Sequence, residues 1–552
     1  MIEREITLSE ILIAREERVG IQNALLAEYP APVVSFTMNV AGPVKVTGLS
    51  HRAFLWGMEQ LRLGFVQNRM RVLKEYTRSL PTGDEGYFAV DAPAEAVKAL
   101  CVEIEESSVA GRLYDMDVIG LDGKKLERGV ERPCIVCGEP GRGCASRRVH
   151  TAAEVREAGD RVLEQTLFLH DRAEISRLAT SALLEEVSVT PKPGLVDRAN
   201  NGSHRDMDFS SFQASAAALT PYWDACFHEG MRPANPPVSA VGAANGRQPE
   251  AEAPQMCHSE RSKESVLPAA TGEKGTDPST TLRSAQDDRR RTITPAETFA
   301  ALRPIGKRAE RDMLAATGGV NTHKGAIFTL GVLCGAIGRR WTAGEGFPSV
   351  DIILDEAAAM TRETLEQELP AAHWNTAGEA LYRQYGTRGI RGEVADGLPA
   401  VREVSLPVFR ALLAQGLDRN HAAAVTLLHL IANVEDTNLL HRGGPEGAAW
   451  AREQAAELLS PACHSERSEE SVPPAASLEK RTDSSTSLRS AQNDRQGTLM
   501  PKSSELISGS RVPSLREIAE LDRQFIQRKL SPGGCADLLA VTLFLDSLPT
   551  EL

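Results

Sequence analysis

The sequence predicts two domains: an N-terminal α+β domain followed by an all-α domain that carries two polar repeat insertions. Three observations lead there. Strand-like alternation is confined to residues 1–150, helical spacing of apolar residues dominates after residue 151, and a polar segment occurs twice. With 552 residues, 41% of them hydrophobic, the chain is long enough to bury more than one core. The division is expected near residue 170, giving domains 1–170 and 171–552.

In the first part, LSEILIAREERVGIQNALLAEY (8–29) has the apolar spacing of a helix, whereas PVVSFTMNV (32–40) and YFAVD (87–91) read as strands. The stretch 151–187 is helical in period. So are HKGAIFTLGVLCGAIGRRW (323–341), NHAAAVTLLHLIANV (420–434) and GCADLLAVTLFLDSL (534–548). The repeat consists of CHSERSKESV (257–266) against CHSERSEESV (463–472), and LRSAQDDR (282–289) against LRSAQNDR (488–495), with the same internal spacing in both copies. Solenoid units need apolar faces that stack on neighbours, and these segments have none. They read as disordered surface insertions, 257–290 and 463–496, of the kind translated mobile genetic sequence leaves, with a pair of binding segments as the alternative.

The formal net charge of −13 argues against nucleic acid or an anionic membrane as a partner of the whole chain. The N-terminus lacks the basic-then-apolar order of a secretory signal, and no run approaches the roughly 20 apolar residues of a membrane span. A soluble cytoplasmic protein is expected. Nine cysteines are too few for a disulfide-built fold.

The first polar constellation runs from Gly111 to His150. In GRLYDMDVIG (111–120), a strand would put Asp115 and Asp117 on one side and Met116 on the other. Two carboxylates on one face repel unless protonated or neutralised, and a divalent cation resolves the conflict while holding substrate phosphates. Metal-assisted phosphoryl or nucleotidyl transfer follows, with a solvated turn before a core strand as the plainer reading. Gly111 allows close phosphate approach and Arg112 offers a donor fork. Downstream, Cys134, Cys137, Cys144 and His150 have spacing compatible with a tetrahedral zinc ion and equally with unligated thiols. Arg142, Arg147 and Arg148 suit phosphate or a solvated basic loop.

Together MNVAGPVK (38–45), GRLYDMDV (111–118) and RPCIVCGEPGRGCASRRVH (132–150) resemble the holo-citrate lyase synthase family, the apo-citrate lyase phosphoribosyl-dephospho-CoA transferases, over about residues 1–150. The resemblance implies a nucleotidyltransferase-like domain. There a serine of the citrate lyase acyl carrier (gamma) subunit attacks phosphorus of triphosphoribosyl-dephospho-CoA and releases pyrophosphate. Asp115 and Asp117 would then be the catalytic carboxylates that hold Mg2+, Arg112 would lie near the phosphates, and Lys45 would be a further phosphate ligand or a surface charge. Such a reaction needs alignment and charge neutralisation more than covalent catalysis.

The second constellation has four pieces. TPKPGLVDRANNGSHRDMDF (190–209) concentrates Lys192, Asp197, Arg198, His204, Arg205, Asp206 and Asp208 in a loop stiffened by Pro191 and Pro193, although Asp208 could simply cap the next helix. In TGGVNTHKGAIFTLG (317–331), Gly318, Gly319 and Lys324 precede an apolar helix whose amides could cradle a polyphosphate, or the glycines could be a plain helix break. The Walker spacing is absent. NVEDTNLLHRGG (433–444) brings Glu435, Asp436, His441 and Arg442, and LSPGGCADLLA (530–540) brings Gly533, Gly534 and Asp537; surface caps would explain either alone.

These pieces, with YGTRGIRGE (385–393), look like the triphosphoribosyl-dephospho-CoA synthase family from about residue 171 to the end, with Cys535 where that family has serine. The resemblance implies ATP and 3'-dephospho-CoA as substrates and adenine as product. Asp206, Asp208 and Asp436 would be metal-binding or base groups. Lys192, Arg205, Lys324 and Arg442 would meet phosphate, as would the glycine loops of Gly318, Gly319, Gly533 and Gly534. The second half would then make what the first consumes. Three alternatives stand beside this: a general nucleotidyltransferase, a noncatalytic zinc-containing carrier-binding protein, and a synthase domain disabled by its insertions.

Overall fold

The computed structural model describes residues 3–129, 131–139, 141–232, 293–371, 377–461 and 511–549. The repeated polar segments, 257–290 and 463–496, lie outside the described residues.

The first domain is a mixed α+β unit: α1 (Leu8–Glu28), β1 (Val33–Met38), α2 (Gly48–Gln67), β2 (Arg71–Leu80), β3 (Gly83–Asp91), α3 (Ala94–Ser107) and β4 (Tyr114–Ile119). A capping box starts α1, with Thr7 and Glu10 satisfying each other's backbone amides. The four strands form an antiparallel sheet in the order β2-β3-β1-β4. Strand period separates two faces. Val34, Phe36, Phe88, Met116 and Val118 meet Phe54, Met58 and Leu61 of α2 and Val97 and Cys101 of α3 in one core. Val33, Tyr87 and Ile119 meet Leu25 of α1 on the other face.

No strand is expected from 71–80, yet β2 is there. It is an edge strand without a buried residue, so its sequence shows no apolar alternation. The opposite edge, β4, has its free backbone groups covered: Met116 N donates to Glu105 Oε1 at 2.9 Å, and Lys98 Nζ donates to Met116 O at 3.0 Å.

After α4 (Gly141–Arg147), the helix α5 (Ala152–Ser188) is 37 residues long, about 55 Å at 1.5 Å per residue. Leu163 packs with Ala53, Ala110 and Leu113 of the first domain, whereas Ile175, Leu178, Ala179 and Leu183 belong to the core of the second. The chain therefore passes between cores inside one helix, and residue 170 falls within it.

The second part is predominantly helical: α6 (Phe209–Gly230), α7 (Pro295–Ala316), α8 (Lys324–Arg340), α9 (Val350–Ala371), α10 (Ala377–Tyr385), α11 (Gly389–Ala395), a π-helical turn (Ala400–Ser405), α12 (Leu406–Ala414), α13 (Arg419–Asn433), α14 (Thr437–Leu459), α15 (Leu515–Arg528) and α16 (Gly533–Ser547). One apolar core runs through all of these long helices. Among the described residues no helix is long and apolar enough to cross a membrane.

A buried polar knot joins the two parts. Arg52 of α2 places Nη2 at 2.7 and 3.0 Å from the carboxylate of Asp171 on α5, and Nη1 at 2.6 Å from Ala343 O. Trp341 Nε1 donates to the same carboxylate at 2.6 Å. Alongside, Gly48 lies so close to the backbone of Gly344 that a Cβ would come within 2.5 Å of its carbonyl oxygen. The joint is a packed seam.

Candidate active sites

In the first domain a cavity of ≈ 1060 Å³ opens at the β4 edge, lined among others by Arg112, Asp115, Asp117, Lys125, Arg128, Arg132 and Arg148. Asp115 and Asp117 lie half-buried on one side of β4 while Met116 is buried on the other, as strand period requires. Burial, and then the neighbouring Asp115, push the Asp117 carboxyl up; Lys125 Nζ, 2.5 Å away, pulls it back. Arg128 and Arg132 both reach the buried Glu105, so this carboxylate fixes two guanidinium groups at the cavity wall. Arg112 lines the same wall, and burial together with Arg132 and Arg128 lowers its pKa. An anionic ligand would relieve that crowding of positive charge. Lys45 stands elsewhere, its Nζ on Val40 O at 2.5 Å, and is not part of the lining. Arg147 is exposed, bonded to Gly143 O.

Beside this cavity Cys134, Cys137, Cys144 and His150 converge, their ligand atoms all within 4.8 Å of one another. Cys137 Sγ is 3.5 Å from Cys144 Sγ and 3.3 Å from His150 Nε2. Ligand edges of about 3.5–3.8 Å follow from Zn–S near 2.3 Å and Zn–N near 2.0 Å in a tetrahedron, so the four side chains fit a zinc ion. Cys134, Cys144 and His150 also line the cavity.

The second cavity, ≈ 560 Å³, lies between α5, α6, α8, α11, α14 and α16. Of the polar residues expected from the sequence, it gathers Lys192, Lys324, Asp436, Arg442, Gly533, Gly534 and Asp537. Asp436 is 3% exposed and joins two helices: Oδ1 accepts Asn438 N (2.7 Å) and Leu439 N (3.0 Å) at the start of α14, and Oδ2 accepts Cys535 N (2.8 Å) at the start of α16. Burial raises its pKa against the pull of those amides. Gly534 permits this approach, since a Cβ there would stand 3.0 Å from Asp436 Oδ2. Asp537 approaches Gly325 so closely that a Cβ would lie 1.8 Å from Oδ2, and it accepts the amide of Ala326. An amide at the start of α8, expected to be free for phosphate, is therefore taken by a carboxylate. Burial, then Glu186 and Asp436, drive the Asp537 carboxyl well above its usual range.

Lys192 also has a different surrounding from the one expected. It is 1% exposed, with Nζ held by Glu186 Oε1 at 2.6 Å and Glu186 O at 2.9 Å, so an internal carboxylate already neutralises it. Arg442 bonds Ser203 O at 3.3 Å and His204 Nδ1 at 3.1 Å, and His204 Nε2 reaches Ser531 Oγ at 2.8 Å. Arg205, Asp206 and Asp208 are exposed and outside the lining. Asp208 is the N-cap of α6, accepting Ser211 N at 2.8 Å, which is the plainer of its two sequence readings. Gly318 and Gly319, both at positive φ, end α7, where Gly319 N bonds Leu314 O at 2.7 Å; they too lie outside the lining.

Several lining residues were not singled out from the sequence. Glu186 sits on the apolar stripe of α5 after Ala179, Ala182 and Leu183, and a carboxylate on such a stripe was the available signal. Thr322, His323, Thr387 and Arg388 each carry a buried nitrogen or oxygen without a hydrogen-bond partner, and all four line this cavity. Buried polar groups are nearly always paired, so these four atoms leave hydrogen-bonding capacity that a polar ligand or ordered water would fill.

Glu393, also in the lining, has its carboxyl pushed by burial up to about 7, with Ala400 N donating to Oε2 at 3.2 Å. The folded pKa lies above the unfolded value near 4.5, so the associated stability is complete below about pH 4.5 and is lost as pH rises through 7. Glu393→Gln, which keeps an acceptor for Ala400, is expected to be more stable than the parent at pH 8 by up to about 3 kcal/mol and equal to it near pH 4.5. Denaturant titrations across this range provide the check. A parent-like pH profile in the variant would contradict the assignment.

Residues 172–482 and 488–552 match the CitG family, ATP:dephospho-CoA triphosphoribosyl transferase, and residues 6–166 match the CitX family, apo-citrate lyase phosphoribosyl-dephospho-CoA transferase. The chain is 30% identical to Protein CitXG of Haemophilus influenzae over 98% of this chain and 96% of the relative. It is 28% identical to Protein CitXG of Leuconostoc mesenteroides subsp. cremoris over 99% and 98%. A probable 2-(5''-triphosphoribosyl)-3'-dephosphocoenzyme-A synthase 1 of Salmonella typhimurium is 33% identical, over 68% of this chain and 91% of its own length.

Proposed function

This chain belongs to the CitXG family, in which a phosphoribosyl-dephospho-CoA transferase is fused to a triphosphoribosyl-dephospho-CoA synthase, and from that premise we propose how its two cavities divide the work. It is a bifunctional transferase. ATP and 3'-dephospho-CoA give 2'-(5''-triphosphoribosyl)-3'-dephospho-CoA and adenine. The phosphoribosyl-dephospho-CoA group then passes to the citrate lyase apo-acyl carrier protein with loss of pyrophosphate. The observation that carries the assignment of the synthase site is the set of partnerless polar atoms around the second cavity.

In that cavity the 2'-hydroxyl oxygen of dephospho-CoA bonds to C1' of the ATP ribose as the bond to adenine N9 breaks. Asp537 accepts the hydroxyl proton, since it lines the cavity and the one backbone amide on it leaves it acceptor capacity. Arg388, Lys324 and Arg442 hold the triphosphate. Asp436 keeps the ends of α14 and α16 in register around the substrate. Magnesium, when bound with the triphosphate, would neutralise its charge, and Asp436 is the candidate carboxylate for it. Asp206 and Arg205, exposed next to His204, would act only at the rim.

In the first cavity, whose domain we read as nucleotidyltransferase-like, a serine oxygen of the acyl carrier (gamma) subunit bonds to phosphorus, its proton passes to solvent, and the bond to pyrophosphate breaks. Asp115 and Asp117 suit a magnesium ion because they share one side of β4, and burial with mutual repulsion keeps the Asp117 carboxyl raised even beside Lys125. Arg112 and Arg132 align the phosphate oxygens. Purified apo carrier incubated with this chain, ATP, dephospho-CoA and magnesium should gain the mass of the phosphoribosyl-dephospho-CoA group while adenine accumulates. Adenine without carrier modification would remove the first assignment, and the absence of adenine would remove the second.

The cysteine-histidine cluster would bind a structural zinc ion that holds loop 132–150 against the transferase cavity. Chelation, or Cys137→Ser, is expected to slow transfer of supplied intermediate at least tenfold while adenine release stays within twofold, with about one zinc per chain lost. Zinc-free protein that transfers at the parent rate would refute this role.

A further inference from the structure

His323 immediately precedes α8 and is 3% exposed in the wall of the synthase cavity. Its Nδ1 lies 2.6 Å from Ser215 Oγ of α6, and Phe212 meets the imidazole edge to face with ring centroids 4.9 Å apart. Two contacts thus fix the plane of the ring and occupy one nitrogen. Nε2 is buried and has no partner. Leaving such a group unpaired costs about 1–3 kcal/mol, which a ligand that hydrogen-bonds it would recover.

The reaction in this cavity creates a specific need for such a group. When the C1'–N9 bond breaks, adenine takes the electron pair and negative charge spreads over the ring nitrogens. The oxygen of dephospho-CoA replaces N9 at C1', its proton moves to a carboxylate that then returns it to solvent, and the released purine takes one proton from solvent, so atoms and charge balance. A donor aimed at a purine nitrogen is worth more in the transition state than before it, because only then does the charge develop. Burial, and secondarily Lys192, push the imidazole pKa down to about 3, so the ring is neutral and carries one hydrogen. When the Ser215 hydroxyl donates to Nδ1, that hydrogen is on Nε2.

We propose that His323 Nε2–H donates a hydrogen bond to a ring nitrogen of the ATP adenine and strengthens it as the base departs, with Ser215 and Phe212 as positioning residues. This rests on the reading of the second cavity as the synthase site. His323 keeps its hydrogen throughout.

The test uses the full chain and follows adenine release from ATP, 3-deaza-ATP and 7-deaza-ATP. His323→Leu is expected to lower kcat about 10²-fold or more while KM for dephospho-CoA changes less than twofold, and His323→Gln, which restores an N–H donor, should recover at least tenfold. One of the two analogues should slow the parent chain strongly and slow His323→Leu no further, since both changes remove the same bond. Ser215→Ala, which frees the tautomer, should give an intermediate loss and decides the matter if His323→Leu does not fold. Intact folding of the helical part is read from a parent-like thermal melt and far-UV circular dichroism spectrum. Adenine release by His323→Leu within threefold of the parent, or equal slowing of parent and variant by both analogues, overturns the proposal. A parent chain that releases no adenine instead overturns the reading beneath it.

Discussion

Asp436→Asn is expected to lower adenine release at least 10²-fold while transfer of supplied intermediate to the carrier continues. The reason is a count of donors and acceptors. The carboxylate accepts three backbone amides, two on Oδ1 and one on Oδ2. A side-chain amide has one acceptor oxygen, so its NH2 must face either Cys535 N–H or the pair from Asn438 and Leu439. One end of the α14–α16 junction then loses its partner, at about 1–3 kcal/mol, and the cavity wall shifts with it. The substitution also removes a negative charge from the proposed magnesium site. Thermal melting beside the activity assay separates the two consequences. Adenine release within threefold of the parent would mean that Asp436 serves neither purpose.

The second large effect is expected at the seam. Arg52→Ala leaves Asp171 buried, with Trp341 and His170 as its remaining partners, and should destabilise the chain by about 3–5 kcal/mol. The paired replacement Arg52→Met with Asp171→Leu should recover most of that, because it removes both charges instead of stranding one. Trp341 reports on the seam directly, since its indole bonds Asp171, so fluorescence-monitored denaturation is the measurement. A single substitution that costs less than about 1 kcal/mol would show that the seam opens readily in solution. A rigid seam also bears on fusion. If the seam stays closed, an intermediate released by one site meets the other at a separation set by packing.

How far the sequence could be read differs between the halves. In the first, Asp115 and Asp117 have the common side that period two demands, because a strand's geometry is local and independent of its neighbours. The spacing of Cys134, Cys137, Cys144 and His150 left zinc ligands and separate thiols equally open, and only the folded loop brings the four together. Strand β2 was not legible, since an exposed edge leaves no apolar pattern. In the second half the loops that matter were legible, but the roles within them were less so. Asp208 and Asp436 each precede a helix and both cap one, yet Asp208 is exposed and Asp436 is buried at a second helix start as well. Nothing within a few residues of either distinguishes them. Lys192 likewise reads as a free cation in sequence and proves to be the partner of Glu186.

By itself the sequence determined the division into an α+β part and a helical part, the two reactions through family membership, and the short-range constellations whose members lie within a turn or strand of one another. Tertiary structure alone decided which charged groups are spent on the protein and which face a ligand. The physical reason is that burial and pairing depend on chain segments brought together from far apart: Gly325 receives Asp537, Asp436 reaches Cys535, and Arg52 finds Asp171. Helix and strand period are fixed by the local backbone, but the loss of solvent that raises a carboxyl pKa or lowers an imidazole pKa is set by packing.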